Sequence, residues 1–145
     1  MTEKELFERA MNGDVGILKD KDVSVIRDAY NWTPLHRLGQ VGCFEILSHR
    51  DVGVVKENGG CTPLHFLSGH GGNAILAHKL VAVVKDNLGF TPLHNLAWLG
   101  DVTKDDLKKL FPWFPYKGEE IDVHLVTKIL KTPNSLRFIY MSDLF

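Results

Sequence analysis

One tetrapeptide, Thr-Pro-Leu-His, occurs three times in this chain, starting at Thr33, Thr62 and Thr91, so that both intervals are 29 residues. A motif returning at a fixed period of this length constrains the fold more than any other feature, because it is the signature of a repeat array. The order of the four residues has a local reason. Threonine is a favourable helix N-cap, its hydroxyl accepting from a free N–H of the first turn. Proline suits the first helical position, where its missing N–H is no loss and its φ is preset. Leucine follows and can point to a core. The spacing predicts helix starts in a common register.

Other columns keep the same interval. Gly13, Gly42, Gly71 and Gly100 form one, as expected for a left-handed residue that ends a helix. Ile17, Ile46 and Ile75 form a second, with Leu18, Leu47 and Leu76 beside it. Val23, Val52 and Val81 form a third, and Ile26, Val55 and Val84 a fourth. Ala10, Gly39, Ser68 and Ala97 are all small, which predicts close approach of the two helices of a unit. Each unit reads as a first helix of about two turns running from the cap to the glycine. A second, short helix carries the Ile-Leu pair, and a connecting turn leads to the next cap.

Thr-Pro-Leu-His resembles the signature of the ankyrin repeat family. The resemblance is specific over residues 31–100, weaker over 1–30 and absent over 101–145. It implies an all-α solenoid of stacked helix-turn-helix units with short connecting turns and helical caps at both ends. The family's unit has about 33 residues, so the second helix is expected to be shortened by about one turn. The domain organisation this implies is one ankyrin-repeat domain over 1–145. Residues 1–30 would be an N-terminal capping repeat, with Lys4-Glu5-Leu6-Phe7 where the tetrapeptide would stand. Repeats follow at 31–58 and 59–87, the start of a last repeat at 88–100, and a divergent helical C-terminal cap at 101–145, including an amphipathic helix over 119–130. By the same resemblance His36, His65 and His94 are structural, bonding to the cap and to neighbouring backbone. Departures from the pattern are Asn31 where Gly60 and Gly89 stand, and Arg37 and Asn95 where Phe66 stands.

Composition narrows the function. The chain has 145 residues and a net charge of −1, which offers no global field to nucleic acid or an anionic membrane. It contains no apolar run of about 20 residues, the length a spanning helix needs, and its charged start lacks a signal-peptide core. Cys43 and Cys61 make no metal or redox motif, so a cytoplasmic location is expected. Equivalent histidines in a stack lie about 8–10 Å apart, too far to share one ion. No catalytic, cofactor or metal site is expected, and the chain reads as non-enzymatic.

The resemblance implies a function as a protein-protein interaction module holding a partner of unknown identity on a concave face. In the ankyrin family, contacts come from the turn before each cap and from the end of each first helix. By position the turn residues include Tyr30, Trp32, Cys61, Leu88 and Phe90, and the helix-end residues Gln40, Val41, His70, Trp98 and Leu99. Tyr and Trp are enriched at interface hot spots, yet Trp32, Phe90 and Trp98 equally suit packing between units, and the sequence leaves both open. The other classes it allows are a nucleic-acid-binding or catalytic role for 101–145, through Trp113, Tyr116, His124 and the local lysines. An inhibitor or effector of a host protein, and a weak homodimer, also remain open.

Overall fold

The computed structural model describes residues 1–71, 73–76, 78, 80–81 and 84–98, with the main chain alone for Asn73, Ala97 and Trp98. The side chain of Trp98, together with Leu99, Gly100 and the expected C-terminal cap, lies outside the described residues. The described part is helical, and no strand occurs in it. Its α-helices are α1 (Glu3–Met11), α2 (Pro34–Gln40), α3 (Pro63–Ser68), α4 (Asn73–Leu76) and α5 (Pro92–Trp98). Among the described residues no helix is long and apolar enough to cross a membrane.

In α3 every backbone donor of the tetrapeptide has an acceptor. In α3 the Thr62 N–H donates to His65 Nδ1 (3.1 Å), and the His65 N–H donates to the Thr62 hydroxyl (3.3 Å). Pro63 has no N–H to satisfy, and the Leu64 N–H donates to the Val52 carbonyl (2.9 Å). Helix α2 repeats the reciprocal cap, with Thr33 N–H to His36 Nδ1 at 3.0 Å, and α5 repeats it with Thr91 N–H to His94 Nδ1 at 2.8 Å. Histidine takes the role that Glu or Gln has in an ordinary capping box. Helix α1 is capped differently from the sequence expectation. Thr2, two residues before Lys4, accepts from the Glu5 N–H at 3.1 Å, so the first helix starts earlier than its repeat position.

The glycine column ends the first helices. Gly13, Gly42 and Gly71 have φ of 76°, 88° and 76°, and the following N–H closes back on the helix, as in Asp14 to Arg9 O (2.9 Å) and Cys43 to Leu38 O (3.0 Å). The second element differs from expectation. It is a 3₁₀ helix at Val15–Lys19 and at Phe44–Ser48, and only Asn73–Leu76 is α-helical. The tighter helix rises about 2.0 Å per residue against about 1.5 Å, so a unit short of residues spans more length for each one.

Residues 29 apart are buried alike. Leu6, Leu35, Leu64 and Leu93 are buried, as are Ile17, Ile46 and Ile75, and Val23, Val52 and Val81. Leu38, Leu67 and Leu96 are buried too, while the residue 29 before Leu38, Arg9, is exposed. Helix α1 packs on α2, α2 on α3, and α3 on α5. At Gly39, in the small column, the approach is close both to the next helix and within the unit. A Cβ on Gly39 would lie 2.5 Å from the Pro63 carbonyl oxygen and 3.3 Å from Ile46 Cδ1. The carbonyl belongs to the next helix and cannot swing aside. Gly39→Ala should therefore push α2 and α3 apart and cost about 1–3 kcal/mol, read as a lower urea midpoint at an unchanged m-value.

Candidate protein-binding edge

Before each cap the chain makes the same tight turn. Asp28 N–H donates to Trp32 O (2.9 Å) and Asn31 N–H to Asp28 O (3.0 Å); Glu57 with Cys61 and Gly60, and Asp86 with Phe90 and Gly89, repeat both bonds at 2.8–3.0 Å. The turn needs one left-handed residue, and Asn31, Gly60 and Gly89 supply it with φ of 69°, 80° and 87°. Asparagine is among the few side chains that tolerate this conformation.

Carboxylates hold the turns from inside. Asp28 Oδ1 accepts from the N–H groups of Tyr30 (2.9 Å) and Trp32 (3.0 Å). Asp86 Oδ1 accepts from those of Leu88 and Phe90, both at 2.9 Å. Glu57 Oε1 accepts from the Cys61 N–H at 2.8 Å. Burial pushes the Asp28 carboxyl up, but the Trp32 N–H, Arg37 and the Tyr30 N–H outweigh it and hold it below its ordinary range.

Neighbouring turns are bonded in register. Arg27 Nη1 donates to Lys56 O at 2.8 Å and Lys56 Nζ to Lys85 O at 2.9 Å. The Asn87 N–H donates to Gly59 O (2.9 Å) and its amide to Asn58 O (2.9 Å). The tips thus align, and they present Tyr30, Gly59 and Leu88 at equivalent positions. Tyr30 is 70% and Leu88 71% exposed.

The remaining expected contact residues divide into three groups. Gln40, Val41 and His70 are exposed at the helix ends. His70 also ties units together, for its Nε2 donates to Gln40 O at 2.7 Å and its ring covers Gly42, where a Cβ would lie 3.1 Å from Nδ1. Trp32 and Phe90 are half-buried. The Trp32 indole stacks on Phe66 with centroids 4.3 Å apart, and the Arg37 guanidinium lies 4.2 Å from its centre, so the ring packs between units. Phe90 meets His94 edge-on at 5.3 Å. Cys61 is half-buried, with Sγ 3.8 Å from Asp86 Oδ2. Burial and the carboxylates of Asp86 and Glu57 push its thiol up to about 12, which leaves almost no thiolate for nucleophilic chemistry. Burial and Glu45 raise the Cys43 thiol as well.

The repeated histidines are occupied by structural bonds. His36 Nε2 donates to Cys61 O (3.1 Å) and His65 Nε2 to Phe90 O (2.9 Å), each carbonyl belonging to the next turn. Among the described residues no group of three His, Cys, Asp or Glu side chains converges as a metal ion would need.

Sequence reasoning missed two features. The irregular column Arg37, Phe66, Asn95 makes the side-chain joints on this side. Arg37 pairs with Asp28 at 2.9 Å, the two side chains 22% and 25% exposed, Phe66 stacks on Trp32, and Asn95 Nδ2 donates to His65 O (3.1 Å) and Ser68 Oγ (2.9 Å). The break in the column was the signal. His49 and His78, also one interval apart, cap the connecting turns. Their Nδ1 atoms accept from the N–H groups of Asp51 (3.0 Å) and Leu80 (3.1 Å), as Asp20 accepts from Asp22 (2.9 Å) one unit earlier. No protein-family model matches the chain, and no curated protein is found similar to it.

Proposed function

We propose that the chain is an ankyrin-type repeat stack and works as a non-enzymatic module that binds a protein partner along its turn edge. The observation that carries this reading is the pair of bulky apolar side chains, Tyr30 and Leu88, exposed on turns that are already fixed by hydrogen bonds. A preorganised surface spends little ordering entropy on binding, and large side chains held at an exposed edge suit a hot spot. Nothing in the packing of the described residues requires either residue at the tip. Both cysteines are free, in keeping with a reducing, cytoplasmic-type setting.

The test compares variants in quantitative capture from lysate of the native host. Tyr30→Ala and Leu88→Ala should each lower retention of the captured protein about tenfold, the equivalent of about 1.4 kcal/mol, with unfolding midpoints unchanged. Trp32→Ala should lower the unfolding midpoint, because it removes the stack on Phe66. Equal capture by wild type, Tyr30→Ala and Leu88→Ala would discard the turn edge as the binding surface.

A further inference from the structure

The turn edge carries charge as well as apolar surface. Each turn opens on a base followed by an acid: Arg27-Asp28, Lys56-Glu57 and Lys85-Asp86. The acids are half-buried and turned inward, accepting the turn N–H groups described above, and Asp28 is further neutralised by Arg37. The bases stand outside. Arg27 and Lys56 are exposed and Lys85 is half-buried. The first two rest on main-chain carbonyls of the following turn, and a carbonyl dipole offsets only part of a full charge. Among the described residues the ion pairs join Lys4 to Glu8, Arg9 to Asp14, Arg37 to Asp28 and Arg50 to Asp51. None of the three edge bases is in them.

Shape adds a second constraint. Gly59 occupies the position that Tyr30 and Leu88 hold in the flanking turns, so the tip row has a notch at its centre, with the Glu57 carboxyl as its nearest side-chain group. Equivalent atoms of packed helical units are about 8–10 Å apart, close to the Debye length of about 8 Å at physiological salt. A ligand lying along the row therefore feels each base mainly at its own unit.

We infer that this edge takes an extended, acidic segment of a partner protein, which seats one bulky apolar side chain in the notch at Gly59 and sets carboxylates against Arg27, Lys56 and Lys85. The inference rests on the turn edge being the binding surface. A nucleic acid fits the edge less well. Single strands need a succession of stacking platforms, and Tyr30 is the one aromatic among the tip positions Tyr30, Gly59 and Leu88.

The experiment selects a randomised short-peptide display library against the full chain. Binders are then measured on Gly59→Tyr, Lys56→Glu and Lys85→Glu. Gly59→Tyr fills the notch at some cost to the turn, because a Cβ there lies 2.8 Å from the Glu57 Oε1 that accepts the Cys61 N–H. Lys85→Glu leaves the Arg27 and Lys56 bonds in place, and urea midpoints check that all three variants remain folded. The expected result is enrichment of Asp and Glu around a single aromatic or large aliphatic residue. Binding should fall about tenfold or more in each variant and weaken with added salt. Binders that fail on Gly59→Tyr but carry no acidic bias, or that ignore both lysine reversals, would overturn the charge inference and leave the edge as the binding surface. Binders indifferent to Gly59→Tyr and also to Tyr30→Ala would overturn both. Tighter retention of a labelled single-stranded RNA than of any selected peptide would overturn the acidic-segment inference.

Discussion

His65→Ala should lower the stability of the chain by about 3–5 kcal/mol, one of the largest effects of any single substitution among the described residues. The imidazole stands between two units and satisfies buried groups on both sides. Nδ1 accepts from the Thr62 N–H at 3.1 Å, with the Thr62 hydroxyl 2.9 Å away, and Nε2 donates to the Phe90 carbonyl at 2.9 Å. Alanine leaves the Thr62 N–H without its partner, at about 1–3 kcal/mol, removes one of the two donors to the Phe90 carbonyl, the Asp86 N–H remaining, and opens a cavity where a ring that is 3% exposed had been. Urea unfolding at neutral pH, extrapolated to water for wild type and variant, measures the difference. A loss below about 1 kcal/mol would mean that the histidine does not couple the units.

The same rings should make the chain acid-sensitive well above the carboxylate range. Burial pushes His36 down to about 4, from an ordinary value of 6.5, and lowers His65 as well. Each is held neutral, with Nδ1 already accepting from a backbone N–H and therefore unable to take a proton without breaking the cap. The unfolded chain binds protons at these residues from about pH 6.5 downward, whereas the folded chain does not. Their contribution is therefore complete above pH 6.5, declines as pH falls, and for His36 is exhausted below about pH 4. The loss from His36 alone approaches about 3 kcal/mol, at about 1.4 kcal/mol per pH unit, and His65 adds to it. Urea midpoints measured from pH 7.5 to pH 4 should fall steadily, and His65→Ala should show a shallower fall. A flat profile between pH 6.5 and pH 5 would mean that the rings are solvated.

Features that recur because backbone stereochemistry demands them were legible in the sequence. The Thr-Pro cap, the left-handed glycines at Gly13, Gly42 and Gly71, and the substitution of Asn31 for glycine each follow from the conformation of one or two residues. The buried Leu, Ile and Val columns were legible for a related reason, since a fixed interval places equivalent residues on equivalent faces. What was not legible depends on length or on a distant partner. The 29-residue spacing pointed to a shorter second helix, but not to a change of helix type at Val15–Lys19 and Phe44–Ser48. The sandwich of Arg37, Trp32 and Phe66 joins residues from two units at positions where the units differ, and periodicity is silent there. For the same reason the interval could not divide the aromatic residues between surface and interior. Tyr30 is free at a tip while Trp32, two residues later, is held under a guanidinium. The first cap was misplaced because Thr2 lies outside the column that predicted it.

The bonds that join one turn and one helix to the next end mostly on peptide oxygens. His36 reaches Cys61 O, His65 reaches Phe90 O, Arg27 reaches Lys56 O and Leu64 reaches Val52 O. A peptide oxygen is present whatever side chain its residue carries, so these couplings do not read the identity of the neighbour. At these points a side chain can be rewritten and the bond kept, whereas the stack of Trp32 on Phe66 fixes which two side chains must meet.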